Sequence, residues 1–190
     1  MKKLHVLLFL TMISVPAFGD EIVRGKGDKS LNFSFSGFNL DEYKYGIGGK
    51  YWVFESIAFT GSVNLQNSKQ DQPISESESN AYGLSFGVEK HFKTRIKLSP
   101  YIGGELRYLQ NDYDSNSDLA IEFDGSVKQY GVDMLVGVEY AIDKNISLAA
   151  EYAIGYTYSK NKTTSNGESG EFTNKNFGLG AGELILLFYF

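Results

Sequence analysis

The stretch YGVDMLVGVEY, residues 130–140, decides how this chain is read. Tyr130, Val132, Met134, Val136, Val138 and Tyr140 share one parity; Gly131, Asp133, Leu135, Gly137 and Glu139 take the other. Successive side chains of a β-strand point to opposite faces, so this alternation predicts a strand with one large apolar face and one small, charged face.

The same pattern extends outward in both directions. Residues 30–38 set Leu31, Phe33 and Phe35 against Asn32, Ser34 and Ser36. Residues 43–53 set Tyr43, Tyr45, Ile47 and Tyr51 against Lys44, Gly46, Gly48 and Lys50. Residues 57–66, 81–89, 101–110 and 147–158 alternate likewise, and a last segment runs from about Lys175 to Phe190. Eight segments result. The face opposite the apolar one is rich in Gly, Ala and Ser, and carries Glu89, Glu105, Arg107, Asp133, Glu139 and Glu151. Small residues suit a narrow interior, and large aliphatics with tyrosine suit a lipid-facing exterior.

The connections differ in length by side. Residues 54–56 and 143–145 are short, and 90–100 is intermediate. Residues 67–80, 111–129 and 159–174 are long and polar, while 39–42 is the one short connection on that side. Short turns at one rim and long loops at the other match an outer-membrane barrel with periplasmic turns and extracellular loops. An even strand number then puts both termini in the periplasm. The expected fold is all-β, an eight-stranded antiparallel transmembrane up-and-down β-barrel.

Composition agrees. The chain has 13 Tyr, 14 Phe and 21 Gly but 3 Pro and no Cys in 190 residues. Without cysteine it is not a disulfide scaffold. The opening MKKLHVLLFLTMISVPAFG has two lysines, an apolar run and a small-x-small end, so residues 1–19 read as a signal peptide and 20–190 as the barrel domain. Removing Lys2 and Lys3 leaves 16 basic against 23 acidic residues, a formal charge of −7. Nothing basic favours nucleic acid. No apolar run of ~18 residues follows residue 19, so entry into a bilayer requires a closed barrel.

The last residues, GELILLFYF (182–190), fix the phase of the eighth strand. Glu183 in mid-bilayer would cost a few kcal/mol, so it faces inward and Leu184, Leu186, Phe188 and Phe190 face lipid. The upper part, with Phe177 and Leu179, is in the opposite phase, and a bulge among Gly178, Gly180 and Gly182 reconciles the two. The row ending on Phe190 resembles the C-terminal signal of bacterial outer-membrane proteins, although Ile185 stands where that pattern carries Gly.

With the signal peptide, the eight segments and the loop asymmetry, the chain resembles the small eight-stranded barrels of the OmpA/OmpX type. The resemblance implies a bacterial outer-membrane location, recognition of the last strand by the barrel assembly machinery, and contact with outer-membrane lipid and lipopolysaccharide. A monomer is expected.

Chemistry is sparse. Some eight-stranded barrels modify lipid A with a His, a Ser and an acid near the outer rim. Apart from His5 the one histidine is His91, which the segment map puts in the periplasmic connection as a solvated turn residue. Asp112, Asp114 and Asn116 have the spacing of a calcium loop, but Ser117 and Phe123 stand where Gly and Glu are required. No cofactor or metal site is expected. The informative charges are those of the lumen: Lys50, Glu105, Arg107, Asp133, Glu139, Glu151 and Glu183, with Arg107 meeting Asp133 and Lys50 lying nearer Glu139 and Glu89. These form either a self-satisfying plug or a gate. The expected function is a structural or surface-interaction role, in adhesion or in host or envelope contact, with an unidentified extracellular ligand. The alternatives are a small pore or a lipid A-modifying enzyme.

Overall fold

A computed structural model describes residues 24–36, 43–72, 75–94, 97–117, 121–165 and 168–190. The signal-peptide reading of residues 1–19 and the connection 39–42 lie outside them. Eight strands form: β1 (Lys29–Ser36), β2 (Tyr43–Phe54), β3 (Ile57–Gln72), β4 (Ser75–His91), β5 (Leu98–Ser117), β6 (Ile121–Asp143), β7 (Ile146–Ser165) and β8 (Glu168–Tyr189). Each pairs antiparallel with the next, and β8 pairs with β1 to close the barrel. No described helix is long and apolar enough to cross a membrane.

The parity of the sequence becomes inside and outside. Val132, Met134, Val136, Leu84, Phe86, Ile102 and Leu106 are exposed on the outer surface. Gly131, Asp133, Leu135 and Glu139 of β6 are buried within. From Tyr130 to Tyr140 the outward row of β6 spans about 24 Å, at ~3.4 Å per residue and a tilt near 45°. That height matches the apolar band of an outer-membrane barrel.

The polar stretches 67–80, 111–129 and 159–174 are not loops. Strands β3 to β8 run on through them, leaving only 73–74, 118–120 and 166–167 between paired strands. A hydrogen-bonded ladder needs backbone groups alone. Where both faces meet water no apolar alternation marks the strand, so hydropathy stops short of the ladder. The calcium-like residues Asp112, Asp114 and Asn116 accordingly lie along β5 rather than in a loop.

Three large inward residues of β5 each lie opposite a glycine of β6: Tyr101 on Gly137, Arg107 on Gly131 and Tyr113 on Gly125. A Cβ on Gly137 or Gly125 would overlap the facing tyrosine ring, and one on Gly131 would press on the Arg107 guanidinium at 3.2 Å. The glycines here make room across the strand pair.

The phase change of β8 is a bulge. Tyr152 pairs with Gly182 and Ile154 with Leu179, so residues 180–181 oppose Ala153 alone. Above it Phe177 faces outward beside Tyr156; below it Leu184, Leu186 and Phe188 do.

The interior is not lined only by small residues. At the short-turn end Trp52, Tyr101, Leu187 and Tyr189 pack with Ala58 and Ala149 into a buried core. A turn at residues 24–28 closes beneath it. The Gly27 amide donates to Trp52 O at 2.8 Å, the Trp52 amide donates to Asp28 O at 3.0 Å, and Gly27 takes a positive φ of 97°.

Candidate functional site

Charge inside the barrel collects at two levels. At the lower level, Lys50 from β2 reaches across to β4 and β6. Its Nζ lies 2.7 Å from Glu89 Oε2 and 3.1 Å from Glu139 Oε2. All three side chains are almost fully buried. Burying charge is tolerable only when each ion is paired and further hydrogen-bonded. Both carboxylates meet that condition: Tyr189 OH donates to Glu139 Oε1 at 2.8 Å, and Glu89 Oε2 lies 2.8 Å from His91 Nε2.

His91 departs from its reading as a solvated turn residue. It is the last residue of β4, faces inward and is buried. Its ring stacks on Tyr101 at 4.7 Å and lies 4.5 Å from Trp52, while Nδ1 sits 3.0 Å from Ser99 Oγ. The strand extends three residues past the last apolar position, Val88, and carries the imidazole inside with Glu89.

The upper level is looser. Arg107 Nη2 lies 3.2 Å from Asp133 Oδ2; the arginine side chain is 39% exposed and the aspartate 4%. Glu105 stands opposite Asp133 across the β5–β6 pair and is half-buried. Glu151 and Glu183 stand opposite one another across β7–β8. Glu151 accepts from Tyr101 OH at 2.9 Å, which draws it toward the lower cluster and away from Arg107. Around these groups the walls are small: Gly46, Ser62, Gly83, Ser85, Gly87 and Gly155. The row Leu184, Leu186, Phe188 and Phe190 lies on the outside of β8 and its end, with the Phe188 ring edge-on to Phe33 at 5.9 Å.

Parity alone would have added Trp52, Tyr101, Leu187 and Tyr189 to the interior, since they share the parity of Lys50, Glu105 and Glu183. Attention to charge passed over them. Arg24 precedes the first strand, where parity says nothing. Its guanidinium lies 3.6 Å over the Tyr189 ring and donates to Lys144 O at 2.6 Å and Ser147 Oγ at 3.0 Å. It seals the short-turn end from below.

A closed barrel with an apolar band, an aromatic-rich exterior and a charged interior is the architecture by which strands cross a bilayer. A family model described as outer membrane protein beta-barrel domain matches residues 5–182. The chain belongs to that family. Its seat is the bacterial outer membrane. Solved barrels share the fold at low identity. A major outer membrane protein of Thermus thermophilus aligns with a TM-score of 0.57 and 12% identity, over 86% of this chain and 99% of that one. Ail, the attachment invasion locus protein of Yersinia pestis, aligns at 0.53 and 14%, over 87% and 99%. The N-terminal barrel domain of Pseudomonas aeruginosa OprF aligns at 0.50 and 15%, over 88% and 100%. A search of curated proteins gives no match.

Proposed function

We propose that this chain is a surface-interaction protein, with the barrel as anchor and the tall hairpins of β3 to β8 as the contacting part. The observation that carries this is the height of the ladders. Above the outward row Tyr108–Tyr130–Tyr158, β5 continues to Ser117, β6 to Ile121 and β7 to Ser165. These extensions rise about 17–22 Å past the aromatic row, at ~3.4 Å per residue and a tilt near 45°. Among the described residues, the pairing of β8 with β1 runs up to Glu183–Ser36, and that of β3 with β2 up to Asn67–Tyr43. The hairpins face outward and both termini lie in the periplasm, after removal of residues 1–19. The outward row Leu184, Leu186, Phe188 and Phe190 serves recognition by the assembly machinery. The name of Ail, an attachment protein, accords with this reading.

The lower interior supports an anchor over a pore. Trp52, Tyr101, Leu187 and Tyr189 fill it, and the Lys50 cluster satisfies itself. An enzyme reading would begin from Ser99, His91 and Glu89, which form a hydrogen-bonded chain. The His91 ring is buried against Tyr101 and Trp52, and Lys50 occupies the same Glu89 oxygen, so the chain reads as a buried brace.

The test is adherence. Bacteria carrying the chain with its β7–β8 hairpin cut back to the Tyr158–Lys175 level should lose attachment to host cells or matrix, with heat-modifiable gel mobility retained. Unchanged attachment, together with steady single-channel conductance of the refolded protein, would replace this reading with a pore. Altered lipid A masses that depend on Ser99 would replace it with an enzyme.

A further inference from the structure

The tall wall of β5 to β8 divides its charge strictly between its two faces. Above the row Arg107–Gly131–Thr157–Asn176 lie three more rows of the same inward parity. Three rows across four strands make twelve positions, and none of them is Asp, Glu, Lys or Arg. The outward positions interleaved with them carry Asp112, Asp124, Lys128, Lys160, Lys162 and Glu171. A face that has only to be wetted takes charged residues freely. Solvation alone therefore accounts for the outer face and leaves the inner one unexplained.

In place of charge the inner face carries amides. Asn111, Gln129, Asn161 and Asn174 stand on β5, β6, β7 and β8 in turn. Among the described residues, the side chains of Gln129, Asn161, Asn174 and Ser159 form no hydrogen bond within the chain. Asn111 accepts from Ser79 Oγ at 2.7 Å through Oδ1 and keeps its amide donors. Two rings stand among these groups. The Tyr113 ring lies over Gly125, where a Cβ would overlap it, with its hydroxyl 3.2 Å from Thr163 Oγ1. Phe172, directly opposite Asn161, is 59% exposed.

The chemistry of this patch selects its ligand. An amide offers a donor and an acceptor together, and so does a hydroxyl. Sugar hydroxyls do the same, and the C–H face of a pyranose packs on an aromatic ring. A patch without cations has nothing to offset the desolvation of a phosphate, sulfate or carboxylate. The patch extends about 14 Å each way, at ~3.4 Å per residue and ~4.8 Å between strands. It is concave, because its four strands belong to a closed barrel. The wall itself separates it from the lipid around the barrel, so a ligand enters from above.

We infer that the inner face of the tall β5–β8 wall binds a neutral oligosaccharide displayed by an opposing surface. Phe172 and Tyr113 stack on sugar rings, and Gln129, Asn161 and Asn174 bond the hydroxyls. This rests on the surface-interaction reading above and names the chemistry of its partner. The charged outer face keeps the hairpins soluble and takes no part in recognition.

The test applies refolded full-length protein in detergent to an array of neutral oligosaccharides of hexoses and N-acetylhexosamines, with sialylated and sulfated forms of the same chains. Wild-type protein should retain neutral chains and hold their charged forms less well. Phe172→Ala and Asn161→Ala should each weaken retention on the order of tenfold, with heat-modifiable gel mobility kept. Lys162→Gln, next to Asn161 but on the outer face, should leave retention unchanged. Retention of no neutral chain, retention that rises with sialylation or sulfation, or an equal loss in Lys162→Gln would overturn the site. Attachment of whole bacteria separates this inference from the reading beneath it. If trimming the β7–β8 hairpin abolishes attachment while Phe172→Ala and enzymatic removal of target-cell glycans leave it intact, the partner is a protein and the glycan assignment falls alone. If the array binds through Phe172 but attachment survives the trimming, the glycan site stands and the attachment reading falls.

Discussion

The two ends of this barrel solve opposite problems with the same strands. At the short-turn end, Lys50, Glu89, Glu139 and His91 are buried among Trp52, Tyr101 and Tyr189. Every charge there has a fixed partner because no water is at hand to replace one. At the tall end, β5 to β8 carry Lys160, Lys162 and Glu171 in contact with solvent, and the same kinds of ion pair are loose and exposed. A buried pair that loses one member leaves a stranded charge, whereas an exposed pair that does so is simply hydrated. Stability therefore resides in the lower interior, and the upper hairpins are at liberty to vary for contact.

The largest effect should come from Lys50→Ala. It leaves Glu89 and Glu139 buried without their shared cation, and removing one partner of a buried pair costs about 3–5 kcal/mol. Urea unfolding in liposomes measures this. Trp52, the single tryptophan, is buried beside His91 and supplies the fluorescence signal. A loss below about 1 kcal/mol, the range of exposed pairs, would erase the contrast between the two ends.

Gly137→Ala should come next. The added methyl overlaps the Tyr101 ring, which is pinned by Glu151 and stacked on His91. Overpacking of this kind costs about 1–3 kcal/mol. Gly170→Ala in the upper part of β8 meets nothing within 4 Å and should be nearly silent. Equal losses for the two would mean that the short-turn end is not tightly packed.

These two variants also show what the sequence could and could not reveal. Strand number, closure and the face of each strand were legible because lipid and a narrow interior impose strict alternation on residues such as Val132 to Val138. The phase conflict between Phe177 and Leu184 was legible as a bulge for the same reason. The ladders beyond Tyr108 and Tyr130 were not, because two wet faces impose no alternation. The lower core was half legible. Parity placed Lys50, Glu89 and Glu139 inside and puts Trp52 and Tyr189 with them, but only charge marked a residue as notable, and a map of strand ends left His91 outside. The hold of Arg24 on Tyr189 joins residues far apart in the chain and has no local signal at all.

Arg107→Ala should have an intermediate effect. The guanidinium is more than a third exposed, so Asp133 regains water when it goes, and the loss should be about 1–2 kcal/mol rather than that of a fully buried pair. It should still exceed that of Lys160→Ala, measured by the same urea midpoints. Equal midpoints would place Arg107 on the solvated side of the comparison.

The smallest effect belongs to the Lys160–Glu171 pair, and its signature is pH rather than size. The hydrogen bond from Lys160 lowers the Glu171 pKa below its ordinary 4.5. The same bond raises the Lys160 pKa above its ordinary 10.5. A carboxylate with a depressed folded pKa adds stability that is present above the ordinary value and lost as pH falls through the lowered one. An ammonium with a raised folded pKa adds stability that is present below the ordinary value and lost as pH rises through the raised one. The pair therefore acts on a plateau between the two and fades at both ends. Both side chains are wet, so salt should flatten it further. Unfolding midpoints of wild-type and Glu171→Gln protein should differ slightly and steadily across that plateau, converge at both extremes of pH, and merge at high salt. A difference that grows toward acid pH, or that survives high salt, would mean that Glu171 is held as the lower carboxylates are, and the division between a fixed base and a free crown would fail at its upper edge.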